Sequence, residues 1–291
     1  MVFITNIQSL LLKSHMGFDS GQDIGFLNEQ EEWHKAIFYA LCAAYALVAL
    51  VALVQLIRIQ LRVPEFGWTT QKVFHFMNFI VNGIRAVQFG VYKSVFSTRP
   101  KAFSMIVLDL PGLLFFSTYT LLVLFWAEIY HQARSLPIDK LKPSYFIING
   151  IIYFAQVCIW IYMISSQSSG AVEVARLFLA VTSFCAALGF MIYGGRLFIM
   201  LRRFPIESRG RQKKLHEVGF VTGICCTCFL IRCFVVGLSA FDEHVDVDVL
   251  GHPILDLIFY AGVEILPSAL VLFILRKLPP RRVSDQYHPI S

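Results

Sequence analysis

A chain of 291 residues that is 57% hydrophobic, with 27 Phe and only 15% charged residues, leaves no room for a large soluble domain beside its apolar stretches. Its formal net charge of +6 is not spread evenly: most charges gather in short segments between those stretches. Any activity must therefore sit inside an apolar bundle or on its rims.

Seven stretches are each about long enough to cross a ~30 Å hydrocarbon core. In chain order they are Ala36–Ile57, Val73–Tyr92, Met105–His131, Tyr145–Ile164, Val174–Met200, Gly219–Ala240 and Pro253–Leu275. In lipid every backbone N–H and C=O needs a partner, and these stretches lack the alternation of a barrel strand, so helices are the expected solution. The fold class is all-α: a polytopic membrane protein with a seven-transmembrane-helix domain over residues 35–278. An N-terminal segment, 1–34, precedes it, and a tail, 279–291, follows. Met1–Gly17 is apolar in character but interrupted by Lys13 and His15, and no small-residue cleavage site follows it, which makes it a loose or surface-lying segment.

Lys and Arg are divided unequally between the two sides. Arg58, Arg62, Lys72, Arg134, Lys140, Lys142, Arg202, Arg203, Arg209, Arg211, Lys213, Lys214, Arg276, Lys277, Arg281 and Arg282 fall on one side; Lys13, Lys35, Lys93, Arg99, Lys101 and Arg176 fall on the other. The richer side is the cytosolic one. The N-terminus is thus expected outside or in a lumen and the C-terminus in the cytosol, and Asp242, Glu243, Asp246 and Asp248 make the last outer loop acidic.

Catalytic signatures are missing from the sequence: there is no P-loop, HExxH, GxSxG or pair of carboxylates at hydrolase spacing, so no enzyme and no cofactor are expected. All seven cysteines fall inside spans, without His or carboxylate at ligand spacing, and read as packing residues rather than a disulfide framework or metal site. The acidic run Asp242–Asp248 lacks the Gly turn and terminal Glu of a calcium loop. His75, His131 and His216 lie near the cytosolic rim and read as solvated or snorkelled side chains.

Seven charges interrupt the spans: Arg85, Asp109, Glu128, Arg196, Arg232, Asp256 and Glu264. A charge deep in the bilayer costs several kcal/mol unless paired or wetted. At ~1.5 Å of rise per residue, Arg85 and Asp109 match in depth on neighbouring helices, as do Arg232 and Glu264, while Glu128 and Arg196 approach the cytosolic rim. Two expected ion pairs follow, Arg85 with Asp109 and Arg232 with Glu264, which lock helix neighbours. The competing reading is a proton or small-solute transporter, whose polar midplane cavity would be lined by Glu264, Arg232, Asn78 or Asn82. Pro111 and Pro267 each leave the carbonyl four residues earlier, on Val107 and Val263, without its helical donor. Asp109-Leu-Pro111 and Glu264-Ile-Leu-Pro267 also form a faint echo between the third and seventh spans.

The third cytosolic loop, from Arg202 to Lys214, carries Arg202, Arg203, Arg209, Arg211, Lys213 and Lys214 beside a membrane end. Such a cluster suits an anionic lipid surface or an acidic protein partner. With no aromatics interleaved beyond Phe204, direct nucleic-acid recognition is not expected.

Three blocks carry a resemblance. They are Leu110-Pro-Gly-Leu-Leu-Phe-Phe-Ser-Thr-Tyr-Thr running on to Trp126-Ala-Glu-Ile-Tyr-His131; Tyr193-Gly-Gly-Arg196 through Arg202-Arg-Phe-Pro-Ile206 to Gly210-Arg-Gln-Lys-Lys-Leu-His216; and Val263-Glu-Ile-Leu-Pro-Ser-Ala-Leu-Val-Leu-Phe-Ile-Leu-Arg-Lys-Leu-Pro-Pro280. From about Glu32 to the C-terminus the chain resembles the plant tobamovirus multiplication proteins. That resemblance implies a seven-span protein of the vacuolar membrane, recruited as a host factor that anchors the viral RNA replication complex. It implies binding to the viral replication protein through its helicase region. An Arf-like small GTPase and a small multi-span host membrane protein are the further implied partners. A rhodopsin-type receptor is disfavoured: no Arg follows Glu128, the seventh span lacks Asn-Pro with a following Tyr, and no loop cysteine can tie the third helix.

Overall fold

The computed structural model describes residues 20–62, 69–91, 101–166, 169–203, 209–241 and 253–276, and all its regular elements are helical. They are α1 (Ser20–Arg62), α2 (Thr70–Gly90), α3 (Lys101–Ala133), α4 (Leu141–Ser166), α5 (Ser169–Gly189), α6 (Gly195–Arg203), α7 (Arg209–Phe241), α8 (Pro253–Tyr260) and α9 (Leu266–Leu275). A π turn, Phe190–Gly194, joins α5 to α6 in one rod, and a second, Ala261–Ile265, joins α8 to α9.

Six helical stretches among the described residues are long and apolar enough to cross a membrane: Glu32–Arg62, Asp109–Gln132, Leu141–Ser166, Gly170–Met200, His216–Leu238 and Ile254–Leu275. The chain is a multi-pass membrane protein. The expected second span is also a helix, α2, but Lys72, His75, Asn78, Asn82, Arg85 and Gln88 dilute its apolarity. These six recur every three or four residues, which places them on one helical face, and all six are buried. Its apolar side, Phe76, Val87 and Val91, is exposed instead. α2 is therefore inverted relative to a water-soluble amphipathic helix. His75 corrects the sequence reading, since it is fully buried and neither ring nitrogen has a hydrogen-bond partner.

Helix boundaries differ from expectation at two other places. α1 begins at Ser20, so residues 20–34 are helix continuous with the first span, while residues 1–19 lie outside the described part. α7 begins at Arg209, so Arg209, Arg211, Lys213 and Lys214 sit on a helical extension rather than in a loop. Arg, Gln and Lys are good helix formers, and a helix already propagating through the membrane continues into them at little cost. Residues 242–252, where the acidic outer loop is expected, and the tail, 277–291, lie outside the described residues.

α3 is central and α4 peripheral: 72% of the α3 span window is buried against 17% of that of α4. Around α3 packs an aromatic core in which Phe115, Tyr119, Trp126, Phe190 and Phe229 meet at centroid separations of 4.5 to 6.1 Å. A second aromatic cluster, Phe38, Tyr45, Phe89 and Tyr260, ties α1 and α2 to α8. Gly194, the last residue of the first π turn, faces Thr222 of α7 and Trp126 of α3 closely. A Cβ there would stand 2.5 Å from Thr222 Oγ1 and 2.9 Å from Trp126 Cζ3. Gly194→Ala is expected to cost about 1–3 kcal/mol of overpacking, read as a lowered unfolding midpoint in detergent. Gly195→Ala is the control, because nothing lies within 4 Å of its Cβ position.

Candidate functional site

The bundle closes around one carboxylate. Glu264 sits in the π turn Ala261–Ile265, a conformation that shifts the helix register by one residue just ahead of Pro267. Pro267 supplies no backbone N–H, so the neighbouring carbonyls are not held in a regular α ladder. Gly262 O accepts instead from Cys228 Sγ at 3.4 Å.

Both oxygens of Glu264 receive donors from three other helices. Arg85 of α2 grips it with two prongs, Nε to Oε2 at 2.8 Å and Nη2 to Oε1 at 2.7 Å. Arg232 of α7 adds Nη1 to Oε1 at 2.8 Å, and Tyr45 of α1 adds its hydroxyl to Oε2 at 2.8 Å. All four side chains are buried. Aromatic faces complete the setting, with the Arg85 guanidinium 5.1 Å from the Tyr260 ring centre and that of Arg232 5.7 Å from the Phe115 ring centre.

The clasp continues into α3. Arg85 Nη1 donates to Gln88 Oε1 at 3.1 Å, and Gln88 Nε2 donates to Val107 O. Val107 carries the carbonyl that Pro111 deprives of its helical donor, so a side chain from α2 fills the gap that the proline opens. Gly112, next to Pro111, leaves space for Arg232, whose Nη2 would be 2.5 Å from a Cβ built there.

The expected Arg232–Glu264 pair is present, and Arg85 joins the same carboxylate. Its Nε and Nη2 are directed at Glu264, while Asp109 accepts from the Trp160 indole of α4 at 3.3 Å. One glutamate thus holds two arginines and a tyrosine. Glu128 Oε2 accepts from Thr70 Oγ1 at 3.1 Å, Arg196 is exposed, and Asp256 is buried in the first turn of α8. Sequence reasoning missed Tyr45 and Gln88. The signal for Gln88 was its spacing, one turn from Arg85 on the polar face of α2 and at the depth of the freed Val107 carbonyl.

Chemically this arrangement binds helices rather than solutes. The oxygens of Glu264 already receive four hydrogen bonds, and neither described cavity is lined by Glu264, Arg232, Asn78 or Asn82. At the other candidate site, Arg202 and Arg203 are exposed at the end of α6. The backbone of Arg209, Arg211, Lys213 and Lys214 follows one short connection later, and their side chains lie outside the described residues. Arg58, Arg62, Arg134, Lys140, Lys142 and Arg276 are exposed at other helix ends.

These features define a helical multi-pass membrane protein with a sealed polar clasp and basic helix ends. The family model for the THH1/TOM1/TOM3 domain matches residues 22–291, and the chain belongs to that family. It is 70% identical over 265 residues to Tobamovirus multiplication protein 1 of Nicotiana tabacum, covering 91% of this chain and 92% of the relative. Its identity to Tobamovirus multiplication protein 1 of Arabidopsis thaliana is 68% over 265 residues, covering 91% of each chain. Against Tobamovirus multiplication protein 3 of Arabidopsis thaliana it is 57% over 264 residues, covering 91% of this chain and 87% of the relative. No solved structure matches the chain.

Proposed function

We propose that this protein is a seven-span host factor of the vacuolar membrane that supports tobamovirus multiplication by anchoring the viral RNA replication complex. The observation that carries this reading is 70% identity across nine-tenths of both chains to a relative named for tobamovirus multiplication. α2 serves as the seventh span. Its 21 residues extend about 31 Å, enough to cross the hydrocarbon, and its polar side chains are buried in the bundle rather than offered to lipid. With α2 counted, the exposed basic helix ends fall on one side, which is the cytosol, and the N-terminus lies in the lumen.

The cytosolic rim is the docking surface, and the viral replication protein binds it through its helicase region. An Arf-like small GTPase and a second multi-span host membrane protein join the same assembly, with the anionic leaflet as a further contact of the basic residues. No catalysis and no direct nucleic-acid recognition are assigned to the chain. A transporter is the weaker reading, because the intramembrane charges it would use are bonded to one another.

The test changes Arg209, Arg211, Lys213 and Lys214 together to Gln and measures recovery of the helicase region on membranes across a salt series. Exposed charge pairs contribute roughly 0.2–1 kcal/mol each, so association should fall about fourfold or more, with a flatter salt dependence. Unchanged recovery and salt response at equal expression and insertion would place the binding surface elsewhere.

A further inference from the structure

A groove of about 510 Å³ runs along the outward side of α2, lined by Phe79, Ile80, Gly83, Ile84, Val87, Gln88 and Val91 together with Val107 of α3. Its volume lies in the range of about 300–1,000 Å³ that small-molecule sites occupy. Gly83 widens its floor, since nothing lies within 4 Å of the position a Cβ would take.

We infer that this groove is a binding site for one acyl chain of a glycerophospholipid. Length and depth choose that occupant. From Phe79 to Val91 the α2 axis rises about 18 Å, close to the ~15 Å of hydrocarbon in a single leaflet. The groove starts at the middle of α2 and ends with the helix, so it covers one leaflet and stops near the midplane. Its walls are apolar apart from the Gln88 amide, and Val87, at its mouth, is 65% exposed. A chain lying along the membrane normal fills such a slot, whereas a soluble ligand has no path to it.

The site also has a structural consequence. Gln88 and Val107, whose hydrogen bond bridges the Pro111 gap and leads through Arg85 to Glu264, both line the groove. An acyl chain seated there keeps water from competing for that bond. The lipid is therefore a stabilising component of the clasp and differs from the bulk lipid around α4, where Phe146, Ile151 and Phe154 present an exposed convex surface.

The inference rests on α2 spanning the bilayer, and the test separates the two. The full chain is reconstituted with phosphatidylcholine bearing a diazirine in its acyl chain, irradiated, and the adducts are located by mass spectrometry. The expected result is adduct yield on residues 79–91 severalfold above that on α4. The yield should fall to the α4 level in Gly83→Phe, which fills the floor, and in Val87→Phe, which blocks the mouth without disturbing the core. Equal yields on the two helices in the unmodified chain, or yields unchanged in a folded Val87→Phe variant, overturn the site. Loss of the adduct on adding sterol, but not on adding phosphatidylcholine, overturns the choice of occupant. The spanning reading is checked independently with Val87→Cys: protection from a water-soluble maleimide supports it, and rapid labelling sinks it together with the site.

Discussion

Glu264→Gln is expected to destabilise the bundle by about 3–5 kcal/mol, the cost of breaking a buried ion pair from one side. The amide retains one acceptor oxygen but turns an N–H₂ towards guanidinium groups, so Arg85 and Arg232 both lose the charge of Glu264. The measurement is thermal unfolding or retention of the monodisperse fraction in mild detergent. Geometry also dictates the pattern of rescue. Arg232→Gln added to Glu264→Gln should restore only part of the loss, because Arg85 remains charged and buried beside the neutral amide. Adding Arg85→Gln as well should restore much of the remainder. Full recovery in the double variant would mean that Arg85 is neutralised elsewhere. Unchanged stability in Glu264→Gln with loss of viral multiplication would instead give the carboxylate a direct functional role.

Gly112→Val should act on the same centre without touching a charge. Its Cβ would fall 2.5 Å from Arg232 Nη2, and the two methyls of Val extend the conflict. Arg232 must then leave Oε1 of Glu264 or push α7 away from α3. Overpacking alone costs about 1–3 kcal/mol. Displacing the guanidinium adds part of the buried-pair cost, so the total should approach that of Glu264→Gln. The informative comparison is Gly112→Val in an Arg232→Met background, where the straight thioether can bend aside. A penalty that shrinks there identifies the Arg232 contact as its origin, and one that persists points to the α3 backbone.

The apolar spans were legible in the sequence because lipid imposes their length and composition almost irrespective of neighbours. Arg232 and Glu264 were legible as a pair because consecutive antiparallel helices bring equal depths together. Arg85 was harder. Depth and chain order pointed to Asp109 on the next helix, and nothing in the sequence signalled that Arg85 reaches Glu264 of the last span. Tyr45 gave no sign at all, since a tyrosine in an apolar span looks the same whether its hydroxyl meets a carboxylate or nothing. The prolines announced free carbonyls but not their donors, and only the bundle shows Gln88 reaching Val107. The conformation of the basic run was not legible over residues 209–214. Charge density suggested a loop, while the intrinsic preference of Arg, Gln and Lys carries α7 back to Arg209.

The clasp also sets an order of events during biosynthesis. Arg85 and Glu264 are 179 residues apart, and Tyr45 and Glu264 are 219 apart. At roughly 5–20 residues per second, the ribosome delivers Glu264 about 10–35 s after Arg85. Through that interval Arg85 exists without the Glu264 carboxylate, and Arg232 joins it before the last span emerges. The clasp therefore stays open until the final span arrives and closes it. Chains ended before Glu264 should accordingly be degraded rather than accumulate as shorter membrane proteins.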